Sequence, residues 1–128
     1  MSNSPPVSKG LYRTGWVLSL LPSLLLTFSG IMKLVQPGGM SEAVGKMGWS
    51  MEVMFSVGIV ELACTALYLV PATSILGAIL LTGYMGGAIA THVRIHEPFI
   101  PGVVVGVLLW LGLFLREPRL RALIPFRR

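Results

Sequence analysis

Four long apolar runs, each carrying at most one charge, limit this chain more than any other feature. They are Trp16 to Val35, with Lys33 as its only charge; Val53 to Val70, with Glu61 as its only charge; Ala72 to Val93, with none; and Phe99 to Leu115, with none. A helix that crosses a bilayer needs roughly 17–25 apolar residues, and every run reaches that length. Strands of a transmembrane barrel would be about 10 residues long and would alternate in polarity; none of the four alternates. Lipid offers the backbone no hydrogen-bond partner, so only helices and closed barrels span it. The runs predict an all-α fold, an integral membrane four-helix bundle.

Composition excludes the soluble alternatives. Hydrophobic residues make up 54% of the 128 and charged residues only 12%, against about 25% charged in an average soluble domain. Mean hydropathy is +0.79. Such a chain cannot cover a globule with solvated side chains. A net charge of +5 would point a soluble protein towards nucleic acid. Here the basic residues flank the apolar runs, where they orient a protein in a bilayer, so no nucleic-acid partner is expected.

The connections order the chain. "MSNSPPVSKG" lacks the short apolar core and cleavage site of a secretory signal, so residues 1–15 read as an N-terminal arm, 16–115 as the four-span domain and 116–128 as a basic tail. Pro71 is almost the whole link between the second and third spans, which makes a tight antiparallel hairpin. "RIHEP" joins the third and fourth. The longest link, Gln36 to Val53, has helical spacing at Ala43, Val44 and Met47. It predicts a short interfacial helix between the first and second spans, from about Ser41 to Met47, with Trp49 anchoring it at the headgroups. Four spans put both termini on one side. That side carries Lys9, Arg13, Arg116, Arg119, Arg121, Arg127 and Arg128, and the other carries Lys33, Lys46 and Arg94. Seven against three predicts cytoplasmic termini. The tail "REPRLRALIPFRR" reads as a positive-inside anchor, or as a site for a partner or anionic lipid.

Glu61 is the residue most in need of an explanation. Eight residues at 1.5 Å from Val53 put it about 12 Å deep, where a charged side chain costs roughly 2.5 kcal/mol or more. It should face the bundle interior, and its helical face agrees: Gly58, Thr65 and Tyr68 share it. Thr27 and Tyr84 fall at similar depth. The expectation is a buried polar site of Thr27, Glu61, Thr65 and Tyr84. Depth alone favours a neutral carboxyl bonded to Tyr84 or Thr27. Two roles stand open, structural glue between helices or a functional carboxyl. Lys33 lies about 10 Å higher by helix rise, too far for a direct ion pair unless the first helix kinks at Gly30 or a water intervenes. Lys33, His92 and Arg94 form an outer polar layer, able to bind an anionic or carbonyl-bearing headgroup or simply to snorkel to the interface. Gly83 and Gly87 in the third span, with Gly102 and Gly106 in the fourth, have the spacing that lets helices approach closely in lipid.

Other chemistries find little footing. His92 and His96 have i, i+4 spacing, but no cysteine or carboxylate completes a metal-binding pattern, and no metal is assigned. Cys64 is the only cysteine, so this chain holds no dithiol centre. No phosphate loop, dinucleotide fingerprint or nucleophile elbow occurs, and no catalytic residue or enzyme activity is assigned.

The ordered set "SGIMKLVQP", Gly58-x-x-Glu61 and the glycine-rich third span ending Ala90-Thr91-His92-Val93-Arg94 resembles the DoxX-like family of small bacterial membrane proteins, over nearly all of the chain. The resemblance implies a four-helix membrane bundle in the bacterial inner membrane, often linked to membrane redox systems. Lys33, Glu61, His92 and Arg94 stand at the family's positions. Two function classes follow. One is an accessory subunit of a larger membrane electron-transport complex, packing between other subunits and touching quinone or lipid. The other is a stand-alone protein that binds a quinone-like or other amphipathic ligand, or handles a proton, through Glu61.

Overall fold

Helix α1 of the computed structural model, which describes residues 8–127, runs from Lys9 to Val35. The Ser8 hydroxyl caps it, accepting from the Leu11 N–H at 3.2 Å. The helix starts about two turns before the apolar run, because Lys9 to Gly15 are good enough helix formers once capped. Its 27 residues make about 40 Å, longer than a hydrocarbon core of about 30 Å. The first turns, with Lys9, Tyr12 and Arg13, extend the span rather than forming an irregular arm. Residues 1–7 of the expected arm lie outside the described residues. α1 is continuous through Pro22 and Gly30 and ends at Gln36, whose φ of 53° lets its N–H return to the Met32 carbonyl.

The short helix in the long link is α2, Met40–Lys46, within a residue of its expected start. α3 spans Met51–Leu69, capped by the Ser50 hydroxyl on the Val53 N–H. A 3-10 turn, Pro71–Thr73, reverses the chain into α4, Ser74–Arg94. α5 covers Ile100–Arg116, and the single turn α6 covers Pro118–Arg121. α1, α3 and α4 are each long and apolar enough to cross a membrane, and α5 is a shorter apolar helix of 17 residues. That is about 25 Å at the helical rise, so α5 spans with little to spare.

The four long helices close a ring in which α1 packs on α3 and α5, α3 on α4, and α4 on α5. The pattern of burial is the reverse of a soluble protein's. Ser19, Ser23, Glu61 and Thr65 are all at most 2% exposed, while Leu21, Leu24, Leu25, Phe28, Ile59 and Val107 lie open on the outside. A surface of leucine around an interior of hydroxyls and a carboxylate is stable only where the surroundings are apolar. The bundle is a helical membrane protein.

Close helix approach rests on Gly58, Gly77 and Gly112 rather than on Gly83, Gly87 and Gly106. A Cβ on Gly58 would sit 2.8 Å from Lys33 Cβ and 3.0 Å from the Gly30 carbonyl, and one on Gly112 would sit 2.8 Å from the Gly15 carbonyl. Gly77 lies against the backbone of Tyr68 and Leu67. These positions join α1 to α3, α1 to α5 and α3 to α4. Gly83, Gly87 and Gly106 have nothing within 4 Å of a Cβ, and Gly102 meets only the Ile89 and Met85 side chains. The reason is that α4 bears two small faces. The one with Gly77 and Ala78 turns inward, and Leu81 and Met85 then fill the core against Val105 and Leu109. The Gly83 and Gly87 face is left over, and it borders open space.

Candidate functional site

Glu61 is fully buried and collects the donors around it on one oxygen. Its Oε1 accepts from Lys33 Nζ at 2.8 Å and from the Tyr84 hydroxyl at 2.5 Å, with Ser29 Oγ at 3.5 Å. Lys33 Nζ also donates to Ser29 Oγ at 2.7 Å. The direct ion pair corrects the separation expected from helix rise, and α1 does not break at Gly30 to make it. Side-chain direction does the work. Every Cα–Cβ bond in a helix leans towards the N-terminus. α1 and α3 are antiparallel, so the Lys33 side chain runs back one turn towards Ser29 while the Glu61 side chain runs the opposite way to meet it. The close approach at Gly30 and Gly58 removes the remaining gap. Lys33 and Glu61 thus stand at ion-pair distance, where helix rise had set them apart.

The other expected site residues divide. Tyr84 is bound to Glu61, and Thr65 is buried beside it but donates to the Glu61 backbone carbonyl. Thr27 is not in the cluster: its hydroxyl donates to the Ser23 carbonyl on its own helix, as hydroxyls in an apolar setting commonly do. Arg94 is not there either. It is exposed, and its Nη2 donates to the Met47 carbonyl, pinning the end of α4 to the end of α2. His92 Nδ1 lies 2.7 Å from the Ala88 carbonyl. A carbonyl can only accept, so Nδ1 carries the proton and Nε2 is the free ring nitrogen.

Beside this cluster is a cavity of about 310 Å³. Met47, Trp49, Met54 and Val57 supply apolar wall, while Lys33, Tyr84 and His92 supply polar groups. Gly83 and Gly87 line it as well, so their missing side chains make room for the cavity. Lys33 has three N–H groups; two are spent on Ser29 and Glu61, and one is left. The Tyr84 oxygen retains lone pairs after donating its proton. The cavity offers a small molecule one charged donor, two acceptors and a mostly apolar lining.

A second polar cluster lies at the opposite end, where the start of α1 meets the end of α5, and no periodic pattern in the sequence marks it. Arg116, the last residue of α5, is 8% exposed. Its Nε donates to Ser19 Oγ at 3.0 Å. The Tyr68 hydroxyl lies 2.9 Å from Ser19 Oγ and 2.5 Å from the Leu109 carbonyl. The guanidinium carbon sits 4.0 Å from the Trp16 ring centre and 5.3 Å from that of Tyr68. Each such ring contact is worth roughly 0.5–2 kcal/mol, against several kcal/mol to desolvate the ion. No carboxylate among the described residues lies within ion-pair distance of it: Glu117, next in sequence, has both oxygens on Arg119. Recognising this cluster from sequence would have required knowing that the first and last spans touch.

No curated protein and no solved structure matches the chain. The profile of the DoxX-like family matches residues 17–115, from the first turns of the bundle to the end of α5. The bundle, with the paired lysine and glutamate at its centre, belongs to the DoxX-like family.

Proposed function

We propose that this protein binds a small amphipathic molecule with a carbonyl-bearing, quinone-like head in the cavity beside Lys33. The observation that carries this reading is the lining of that cavity, in which a lysine with one uncommitted N–H stands among methionine, tryptophan and valine. Small-molecule sites are mostly apolar with a few placed polar groups, and about 310 Å³ is at the lower end of their volumes. Lys33 would donate to a ligand carbonyl. His92 Nε2 would accept from a hydroxyl on the reduced form. Glu61 holds Lys33 and Tyr84 in place and offsets the charge that an isolated ammonium would bring into lipid.

Passage of a proton through the bundle has less support. Between the two polar clusters, Ser23 and Thr27 donate to backbone carbonyls, and Thr65 does the same. A backbone carbonyl cannot pass a proton on, so this arrangement of hydroxyls lends a relay no support.

The accessory-subunit reading keeps one specific observation. A groove of about 620 Å³ between α4 and α5, lined by Gly86, Gly102, Gly106, Val103 and Trp110, faces outward and is almost wholly apolar. Its floor of glycines suits a helix of a neighbouring membrane subunit. The basic asymmetry supports cytoplasmic termini and a bacterial inner-membrane location.

The test uses the fluorescence of Trp49, which lines the cavity. A short-chain benzoquinone added to the protein in nanodiscs should quench it with saturation. Trp49→Phe should remove the saturable part, and Lys33→Met should weaken binding by about tenfold, the loss of one charge-assisted hydrogen bond. Quenching that rises linearly with quinone in all three proteins would be simple partition into lipid and would defeat the proposal.

A further inference from the structure

We propose that Arg116 forms a phosphate-binding site at the terminal end of the bundle, filled by the headgroup of an anionic phospholipid. Three observations point there. The first is an unbalanced charge. Arg116 is more than nine-tenths buried, and no carboxylate among the described residues lies within ion-pair distance of it. The terminal end carries Lys9, Arg13, Arg116, Arg119, Arg121 and Arg127, with Glu117 as its only acidic residue, and Glu117 is engaged by Arg119.

The second observation is unused hydrogen-bonding capacity. A guanidinium has five N–H groups in a planar fork. Among the described residues only the Nε–H of Arg116 has a partner, Ser19 Oγ, and the buried Nη2 has none. Arg121, on the adjoining α6, also has a buried Nε without a partner. Buried donors left unmade cost more than made bonds return. Two of them, on arginines five residues apart in the chain, suit a ligand with several acceptor oxygens, and a phosphate is such a group.

The third observation is position. Trp16 and Tyr68 stack on Arg116, with Tyr12 beside Trp16 at a ring separation of 6.5 Å. Tryptophan and tyrosine gather at the level of lipid headgroups. The site therefore lies where phosphodiesters are concentrated, at the rim of a bundle whose outer surface is lipid-facing. The ring faces and Ser19 hold the plane of the guanidinium. This site is separate from the Lys33 cavity and does not depend on what that cavity binds.

The experiment compares the full-length protein in nanodiscs of phosphatidylcholine with and without phosphatidylglycerol. It reads the thermal midpoint and, by native mass spectrometry from detergent, the phosphatidylglycerol retained. Phosphatidylglycerol should raise the midpoint, and Arg116→Gln should abolish the rise and reduce retained lipid by about tenfold. Arg127→Gln, which removes the same charge from an exposed position on the same tail, should keep both. Equal losses in Arg116→Gln and Arg127→Gln would reveal a diffuse charge effect and overturn the site. Inorganic phosphate in phosphatidylcholine discs should leave the midpoint unchanged; an equal rise would keep the phosphate site but overturn the lipid as its source. Should Arg116→Gln not fold, Arg116→Lys keeps the charge and loses the planar fork, and lipid retention at the wild-type level in that variant would overturn the proposal.

Discussion

Lys33 and Arg116 are both cations set into the interior face of an apolar bundle, yet their surroundings differ. Lys33, on the side of α2, meets Glu61 at 2.8 Å and shares that carboxylate with Tyr84. Arg116, on the side of the termini, meets two aromatic rings, a serine hydroxyl and no carboxylate. The difference follows from depth and from side-chain type. Lys33 reaches back towards the middle of the membrane, where a compact ammonium has no other means of compensation, so its partner must be a charge. Arg116 ends its helix near the headgroups, where the helix dipole, ring faces and lipid phosphate can share the task. A guanidinium, flat and weakly hydrated, is suited to stacking in a way that an ammonium is not.

Breaking the Lys33 side of this comparison should have the largest effect. Glu61→Gln keeps the shape of the side chain but leaves Lys33, 17% exposed, beside a neutral amide. Losing one partner of a buried pair costs about 3–5 kcal/mol. The measurement is unfolding in detergent by denaturant titration. The double variant Lys33→Met/Glu61→Gln should recover a clear part of the loss, since no uncompensated charge remains. A Glu61→Gln protein as stable as wild type would show that the pair contributes nothing, and the contrast with Arg116 would collapse.

The second prediction concerns the helix contacts that hold both ends in register. Gly77→Ala pushes a methyl group into the backbone of Tyr68, for which about 1–3 kcal/mol or more is expected. Gly87→Leu meets open space instead. It should leave the thermal midpoint close to wild type while occluding the cavity and abolishing saturable quinone quenching. Equal destabilisation by the two would mean that the α4 faces are exchanged relative to the structure.

The outcome at these glycines shows what was and was not legible in the sequence. The spans were readable because uninterrupted apolar runs have one solution in lipid. The inward face of α3 was readable because Gly58, Glu61, Thr65 and Tyr68 repeat at helical spacing, and all four are buried. The working faces of α4 were not, since Gly77, Gly83 and Gly87 are all small and spacing does not say which of them meets a helix. The Lys33–Glu61 pair was missed for a related reason. Rise per residue locates Cα atoms, whereas the pair depends on two side chains leaning towards each other on antiparallel helices. Arg116 looked like one more basic residue of the tail until α1 and α5 were seen to touch.

On the Arg116 side, Tyr68→Phe is the sharper probe. It leaves the ring beside the guanidinium and removes only the hydroxyl that lies between Ser19 Oγ and the Leu109 carbonyl. The Leu109 carbonyl keeps its own helical partner within α5, so the loss is that of a side-chain hydrogen bond, about 0.5–1.5 kcal/mol, less than the expected loss at Glu61. If Arg116 is held mainly by stacking, the phosphatidylglycerol preference should survive Tyr68→Phe although stability falls. Loss of both together would mean that the hydroxyl network, not the rings, orients the guanidinium.

The smallest expected effect tests whether Glu117 contributes to compensating Arg116. Its carboxyl is held below the ordinary carboxylate range, first by the side-chain hydrogen bond from Arg119, with the charges of Arg119 and Arg116 acting in the same direction and partial burial opposing them. A carboxyl whose folded pKa is depressed adds stability that is fully present above its unfolded value and is lost as the pH falls through the folded one. The window therefore opens near 4.5, the ordinary value, and extends downwards. Glu117 also caps α6 by accepting from the Arg119 N–H at 3.1 Å, and α6 presents Leu120 to the core at 3% exposure. Acidification below that point should loosen α6 before the bundle, seen as faster amide exchange over residues 118–123. Because Arg119 is solvent-exposed, high salt should weaken the effect. Glu117→Gln should flatten the pH response while leaving the phosphatidylglycerol preference intact. If that preference instead strengthens in Glu117→Gln, the carboxylate competes with phosphate for Arg116, and the arginine is less isolated than its two rings and single hydrogen bond imply.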